Sequence, residues 1–172
     1  RTHVMELRDY PVETARTILT RNALAAEPKI THILFIDADM VFPIDSLERL
    51  LKHDLSIVGG LCHSRRGPSY HPILARLPDK AWGYPEAHYA FVYDYIPGEL
   101  VDVDATGGAF LLVKREVFET VAERFGPTSW WTAGFPHESN SEDFSFCARA
   151  KLCGYEVKVD TSLEIGQMAR DA

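Results

Sequence analysis

Asp37 and Asp39 flank a single alanine directly after four apolar residues, Ile33, Leu34, Phe35 and Ile36. In an extended chain residues i and i+2 point the same way, so both carboxylates can face one object. Like charges this close repel. A hard divalent cation, Mg²⁺ or Mn²⁺, held by carboxylate and phosphate oxygens, relieves that repulsion. The competing reading is an acidic turn after a core strand. Two guanidiniums at Arg65 and Arg66 suit diphosphate oxygens, or else form a solvated basic loop. Gly107 and Gly108 permit close backbone approach to a ligand, and a β-bulge needs glycine equally. Trp130, Trp131 and Phe135 lie in a polar loop, where they either pack down or form a flat platform for a sugar or an apolar ligand. Glu142 and Asp143 open a helix, where acidic residues complement the dipole.

The elements that must position these groups alternate between helix and strand. Residues 4–7 suggest a short strand, and Asp9-Tyr10-Pro11 a turn. Residues 13–26 carry good helix formers, with Ala15, Ile18, Leu19, Ala23, Leu24 and Ala26 apolar, and Pro28 ends the run. The strand at 33–36 reads as buried on both faces, and it releases Asp37 and Asp39 at a sheet edge where α/β folds bind ligands. Asp45 to Glu48 resembles a capping box opening a helix to His53. Residues 56–60 form the next strand, which empties into the Arg65-Arg66 loop. Residues 89–95 and 99–104, around Pro97-Gly98, suggest a hairpin. A buried strand at 109–113 and a helix at 115–125 stopped by Gly126-Pro127 come next. A long loop at 128–140, a helix at 144–152, a strand at 155–159 and a tail at 165–168 complete the chain. No internal repeat is present.

Composition narrows the class. The chain has 172 residues, enough for one domain with a core, and a net charge of −7 that argues against a nucleic-acid surface. A polyanionic partner would need a metal or a local basic pocket. Three cysteines, Cys62, Cys147 and Cys153, show no metal spacing and leave one odd, so reduced thiols and a cytoplasmic location are expected. No apolar run reaches the ~18 residues of a membrane span.

An Asp-x-Asp after an apolar strand, a Gly-Gly before a later strand, a Trp-rich loop, then Glu-Asp opening a helix that ends in Gly-Tyr-Glu-Val-Lys-Val-Asp resembles the glycosyltransferases of GT-A fold, particularly the family 2 type. The similarity runs from about residue 21 to residue 167. It implies an α/β fold, a Rossmann-like mixed sheet flanked by helices, in one domain over residues 1–172. It implies transfer of a sugar from a nucleotide-diphosphate donor, a UDP- or GDP-sugar, to an acceptor hydroxyl, with inversion. By the same resemblance Asp37 and Asp39 hold Mn²⁺ or Mg²⁺ and the diphosphate. Arg21, Asn22, Ala38, Arg65 and Arg66 fall on the donor side, and Gly107, Gly108, Trp130 and Trp131 on the acceptor side. The general base falls on Asp143, with Glu142 beside it. Many relatives carry a Gly-His near the end as a further metal ligand. Here Gly166-Gln167 stands in its place, and a glutamine oxygen ligates a hard cation without charge. The family also begins with a strand and a helix that cradle the base, so a chain lacking that first pair is expected.

Two other readings belong to different classes. A catalytically silent GT-A-like domain would bind a sugar or a partner through the same fold. An apolar strand followed by Asp-Ala-Asp also suits a phosphatase of haloacid-dehalogenase type, with Asp37 as nucleophile. That fold needs a later lysine after a strand and an acidic pair at a strand end, whereas Glu142-Asp143 precedes a helix.

Overall fold

The computed structural model describes residues 2–64, 70–77 and 88–168. The helix α1 (Val12–Ala25) leads to β1 (His32–Ile36), then β2 (Met40–Val41), α2 (Ser46–Lys52) and β3 (Ile57–Leu61). Short strands follow at β4 (His63–Ser64), β5 (His71–Pro72), β6 (Leu74–Arg76) and β7 (Ala90–Phe91). The chain continues through β8 (Leu100–Val103), β9 (Ala105–Thr106), β10 (Phe110–Lys114), α3 (Arg115–Phe125), α4 (Glu142–Leu152), β11 (Val157–Glu164) and β12 (Gly166–Gln167). The main sheet has the order β1-β10-β3-β11-β8 and is mixed, with β3 and β11 parallel and the other pairs antiparallel.

Period-two alternation builds a layer on each face of this sheet. From β10, Leu111 and Val113 join Val117, Phe118 and Val121 of α3, Phe146 of α4, and Trp130 and Trp131. Phe110 and Leu112, the residues between, face the other way and meet Leu50 of α2, Val58 and Leu163. The result is helices on both sides of a mixed sheet, as the sequence led us to expect.

Several local expectations are corrected. Residues 4–7 form no strand, and Val4 is 91% exposed. β1 is not buried on both faces. It is the outer strand of the main sheet, paired with β10 alone among the described residues, and only Phe35 is fully buried. The hairpin around Pro97-Gly98 does not form, because β7 pairs with β6 while β8, with Val101 and Val103 inward, pairs with β11. α2 has no capping box, since Asp45 makes no side-chain cap bond and the Ser46 hydroxyl donates to the Pro43 carbonyl instead. The tail at 165–168 contains a strand, β12, that pairs with β2. No helix among the described residues is long and apolar enough to cross a membrane.

β3 tolerates no side chain at its centre. A Cβ on Gly60 would lie 2.6 Å and 2.9 Å from Ile165 side-chain carbons and 3.1 Å from the Leu163 carbonyl oxygen. Gly60→Ala is therefore expected to destabilise the fold by about 1–3 kcal/mol through overpacking. A urea titration with an unchanged midpoint would show that Ile165 moves aside freely.

Candidate functional site

Strand register brings the acidic and glycine motifs together. β1 and β10 run antiparallel with Ile36 opposite Phe110, so the residue leaving β1 meets the segment entering β10. Asp37 donates its backbone N–H to the Ala109 carbonyl at 2.9 Å, next to Gly107 and Gly108. Asp37 to Met40 then closes a turn, Met40 N–H to Asp37 carbonyl at 3.1 Å, with Ala38 exposed at its tip. Past the turn, β2 pairs with β12 and sets Gln167 opposite Met40. From there the Gln167 amide donates to Asp39 Oδ2, and the Met168 N–H reaches the Asp39 carbonyl at 2.8 Å.

α4 packs over β9 and presents its first turn to the same place. Asp143 Oδ2 accepts the Gly108 N–H at 3.2 Å, and Asp143 Oδ1 accepts the Phe144 N–H and the Ser141 hydroxyl. Gly107 and Gly108 thus serve the protein's own close packing. A Cβ on Gly107 would sit 3.3 Å from Ile73 and 3.8 Å from Asp143 Oδ2.

One residue that the motifs did not single out joins these parts. Arg16, on the inward face of α1, reaches Asp37 Oδ1 through Nη2 at 2.9 Å and Glu142 Oε1 through Nη1 at 2.7 Å. Its side chain is 6% exposed, and its guanidinium lies 5.3 Å from the centre of the Trp131 ring. A Cβ on Gly108 would come within 2.7 Å of Nη1, so Gly108 is what lets the guanidinium in. The face that α1 buries, Arg16, Thr20 and Ala23 at i, i+4 and i+7, is not an apolar stripe and so left no signal in the sequence, while the apolar Ala15, Ile18 and Leu19 are only half-buried.

Burial raises the proton affinity of Glu142 above the ordinary carboxylate value of 4.5, Asp143 pushes the same way, and Arg16 opposes them. The thiols offer no alternative chemistry. Cys62, buried near Asp37 and Asp143, is pushed up to about 12 by desolvation and those charges, and Cys147 also to about 12 by burial.

Other expected positions lie elsewhere. Arg21 and Asn22 are exposed and turned roughly 140° and 120° from Arg16 around α1, away from this cluster. Arg65 and Arg66 lie outside the described residues. Trp130 and Trp131 are corrected as an acceptor platform, because both rings are core. Trp130 Nε1 donates to the Phe118 carbonyl at 2.7 Å and Trp131 Nε1 to Thr20 Oγ1 at 2.9 Å, while Trp131 stacks on Phe146. Satisfied indole donors and apolar neighbours favour burial over display.

As ligands, Asp37, Asp39 and Gln167 offer hard oxygens from one turn and the strand beside it, which suits Mg²⁺ or Mn²⁺. Among the described residues no group of three or more His, Cys, Asp or Glu is arranged to hold a metal ion. In the structure Asp37 Oδ1 accepts from Arg16 and Asp39 Oδ2 from the Gln167 amide, so a cation here would take the rest of its shell from non-protein oxygens.

Removing the guanidinium leaves Asp37, Glu142 and Asp143 facing one another. Arg16→Met is expected to cost about 3 kcal/mol at pH 7, the lower end of the range for breaking a buried pair, because the Asp37 side chain is 40% exposed. The loss should shrink toward pH 4.5. A carboxyl whose folded proton affinity is raised holds its proton when the unfolded chain has released it, so stability falls as pH rises through that window, and more steeply without Arg16. Urea midpoints at the two pH values check this, and a pH-independent loss would contradict it.

No protein-family model matches the chain, and no curated protein matches it either. Among solved structures it is similar to a viral protein, A197 from STIV, at a TM-score of 0.62 and 18% identity, covering 95% of this chain and 70% of that one. It is also similar to GalNAc-T7, a GT-A glycosyltransferase crystallised with UDP, GalNAc and Mn²⁺, at a TM-score of 0.57 and 16% identity. That likeness covers 92% of this chain but 30% of the enzyme. At these identities the likeness concerns the fold, and the fold is a mixed α/β sheet flanked by helices of the GT-A kind.

Proposed function

We propose that the chain is a metal-dependent glycosyltransferase that moves a sugar from a nucleotide-diphosphate donor, a UDP- or GDP-sugar, to an acceptor hydroxyl with inversion. The observation that carries the reading is the meeting of Asp37 and the Asp39 turn with Glu142 and Asp143 across Gly107 and Gly108, within a GT-A-like fold. Asp37, Asp39 and Gln167 would hold Mn²⁺ or Mg²⁺, which when bound neutralises charge growing on the leaving diphosphate. Asp37 and Asp39 are held at the mouth of the sheet by the β1–β10 and β2–β12 pairings, and Arg16 fixes Asp37 relative to α4.

We assign the general base to Asp143. The Gly108 N–H, the Phe144 N–H and the Ser141 hydroxyl orient its carboxylate against the glycine segment, whereas Glu142 is engaged by Arg16. A second assignment, Glu142 as base, is favoured by the proton affinity that burial confers on it.

Incubation with a nucleotide sugar and Mn²⁺ is expected to give slow release of nucleoside diphosphate, lost in Asp39→Ala. Intact donor bound without turnover would instead identify a silent binding domain. Rapid release of phosphate from an aryl phosphate, lost in Asp37→Asn, would identify a phosphatase. With an acceptor present, Asp143→Asn should lower transfer by about 10²- to 10⁴-fold at unchanged donor affinity. If Glu142→Gln has that effect and Asp143→Asn does not, the base is Glu142.

A further inference from the structure

We propose that Arg16 is a built-in counterion that keeps a divalent cation off Asp37 until a diphosphate arrives with it, a role that rests on the donor site proposed above. The guanidinium is held on every side that the contacts define. Asp37 Oδ1 lies 2.9 Å away and Glu142 Oε1 2.7 Å away. The Trp131 ring centre lies 5.3 Å off, and the Gly108 backbone is so close that a Cβ there would sit 2.7–3.1 Å from the guanidinium atoms. An arginine seated this way is no surface charge that swings aside. Its side chain is 6% exposed, and its departure would leave Asp37 and Glu142 without their partner.

Both carboxylates of the turn therefore already have protein donors, Asp37 from Arg16 and Asp39 from the Gln167 amide. A free Mn²⁺ approaching Asp37 meets a fixed positive charge one carboxylate away. A nucleoside diphosphate reverses the balance, because its oxygens attract the ion and the guanidinium together. The site then takes up metal and nucleotide as a pair and stays empty of metal alone. α1 thus contributes to donor selection through a residue that belongs to none of the acidic or glycine motifs.

The test uses Mn²⁺ alone as probe, counted as free ion by electron paramagnetic resonance, with the whole chain. Arg16→Met is expected to bind Mn²⁺ at least about tenfold tighter than the unaltered protein, as a unit charge removed from a few ångströms away requires. Arg16→Lys should stay near the unaltered value, and adding Asp37→Ala to Arg16→Met should abolish the gain. No gain in Arg16→Met, or an equal gain in Arg16→Lys, overturns the proposal. Should Arg16→Met fail to fold, Arg16→Gln decides by the same measurement, since it also removes the charge beside Asp37. Tighter Mn²⁺ binding in Arg16→Gln is the expected result, and affinity equal to that of the unaltered protein overturns the proposal. The two readings fail separately. A gain through Asp37 in a protein that binds no nucleoside diphosphate supports the counterion and removes the donor site. Paired uptake of nucleotide and metal with no gain in Arg16→Met does the reverse.

Discussion

A buried guanidinium must have its charge answered, and in this chain the answer joins three parts of the fold that are far apart in sequence. Arg16 spans from Asp37, at the end of β1, to Glu142, at the start of α4, and lies over Trp131 from the loop between α3 and α4. Each neighbour is constrained in turn. Gly108 lacks a side chain because Arg16 needs the space, and Thr20, one turn along α1, accepts the Trp131 indole N–H that would otherwise be buried unpaired. The relative placement of α1, the Asp-x-Asp turn and the α4 N-terminus follows from this one charge.

The charge balance also bears on what can bind. Of Asp37, Asp39, Glu142 and Asp143, Asp37 and Glu142 share the Arg16 guanidinium, while Asp39 and Asp143 are held by uncharged donors, in a chain of net charge −7. A polyanionic donor approaching such a surface needs a cation to accompany it. The acidic turn and the metal reading therefore support each other through electrostatics, independent of likeness to any other protein.

Much of the architecture was legible because it follows from periodicity. The strands β1, β3 and β10 and the helix at 115–125 were placed correctly, since apolar runs and an amphipathic helix each leave a one-dimensional pattern, although the position of β1 at the outside of the sheet was not legible. What did not read was whatever depends on partners distant in sequence. Whether Val101 and Val103 pair with β7 or with β11 is a sheet-level competition that no local pattern records. Gln167 in a short tail acquires its place only through β2. Arg16 was missed because a charged residue in a helix is ordinarily solvated, and its burial makes sense only once Asp37 and Glu142 arrive from elsewhere. The tryptophans posed two physical alternatives, and a complete set of hydrogen-bond and ring partners selects burial.

Diffraction from crystals grown with UDP and Mn²⁺, recorded at the manganese absorption edge, tests the central claim most directly. A metal-dependent donor site at the turn requires one anomalous peak within about 2.5 Å of a carboxylate oxygen of Asp37 or Asp39, beside the phosphates of the nucleotide. Nucleotide bound elsewhere, or bound at the turn with no manganese peak beside it, would remove Asp37 and Asp39 from the metal site.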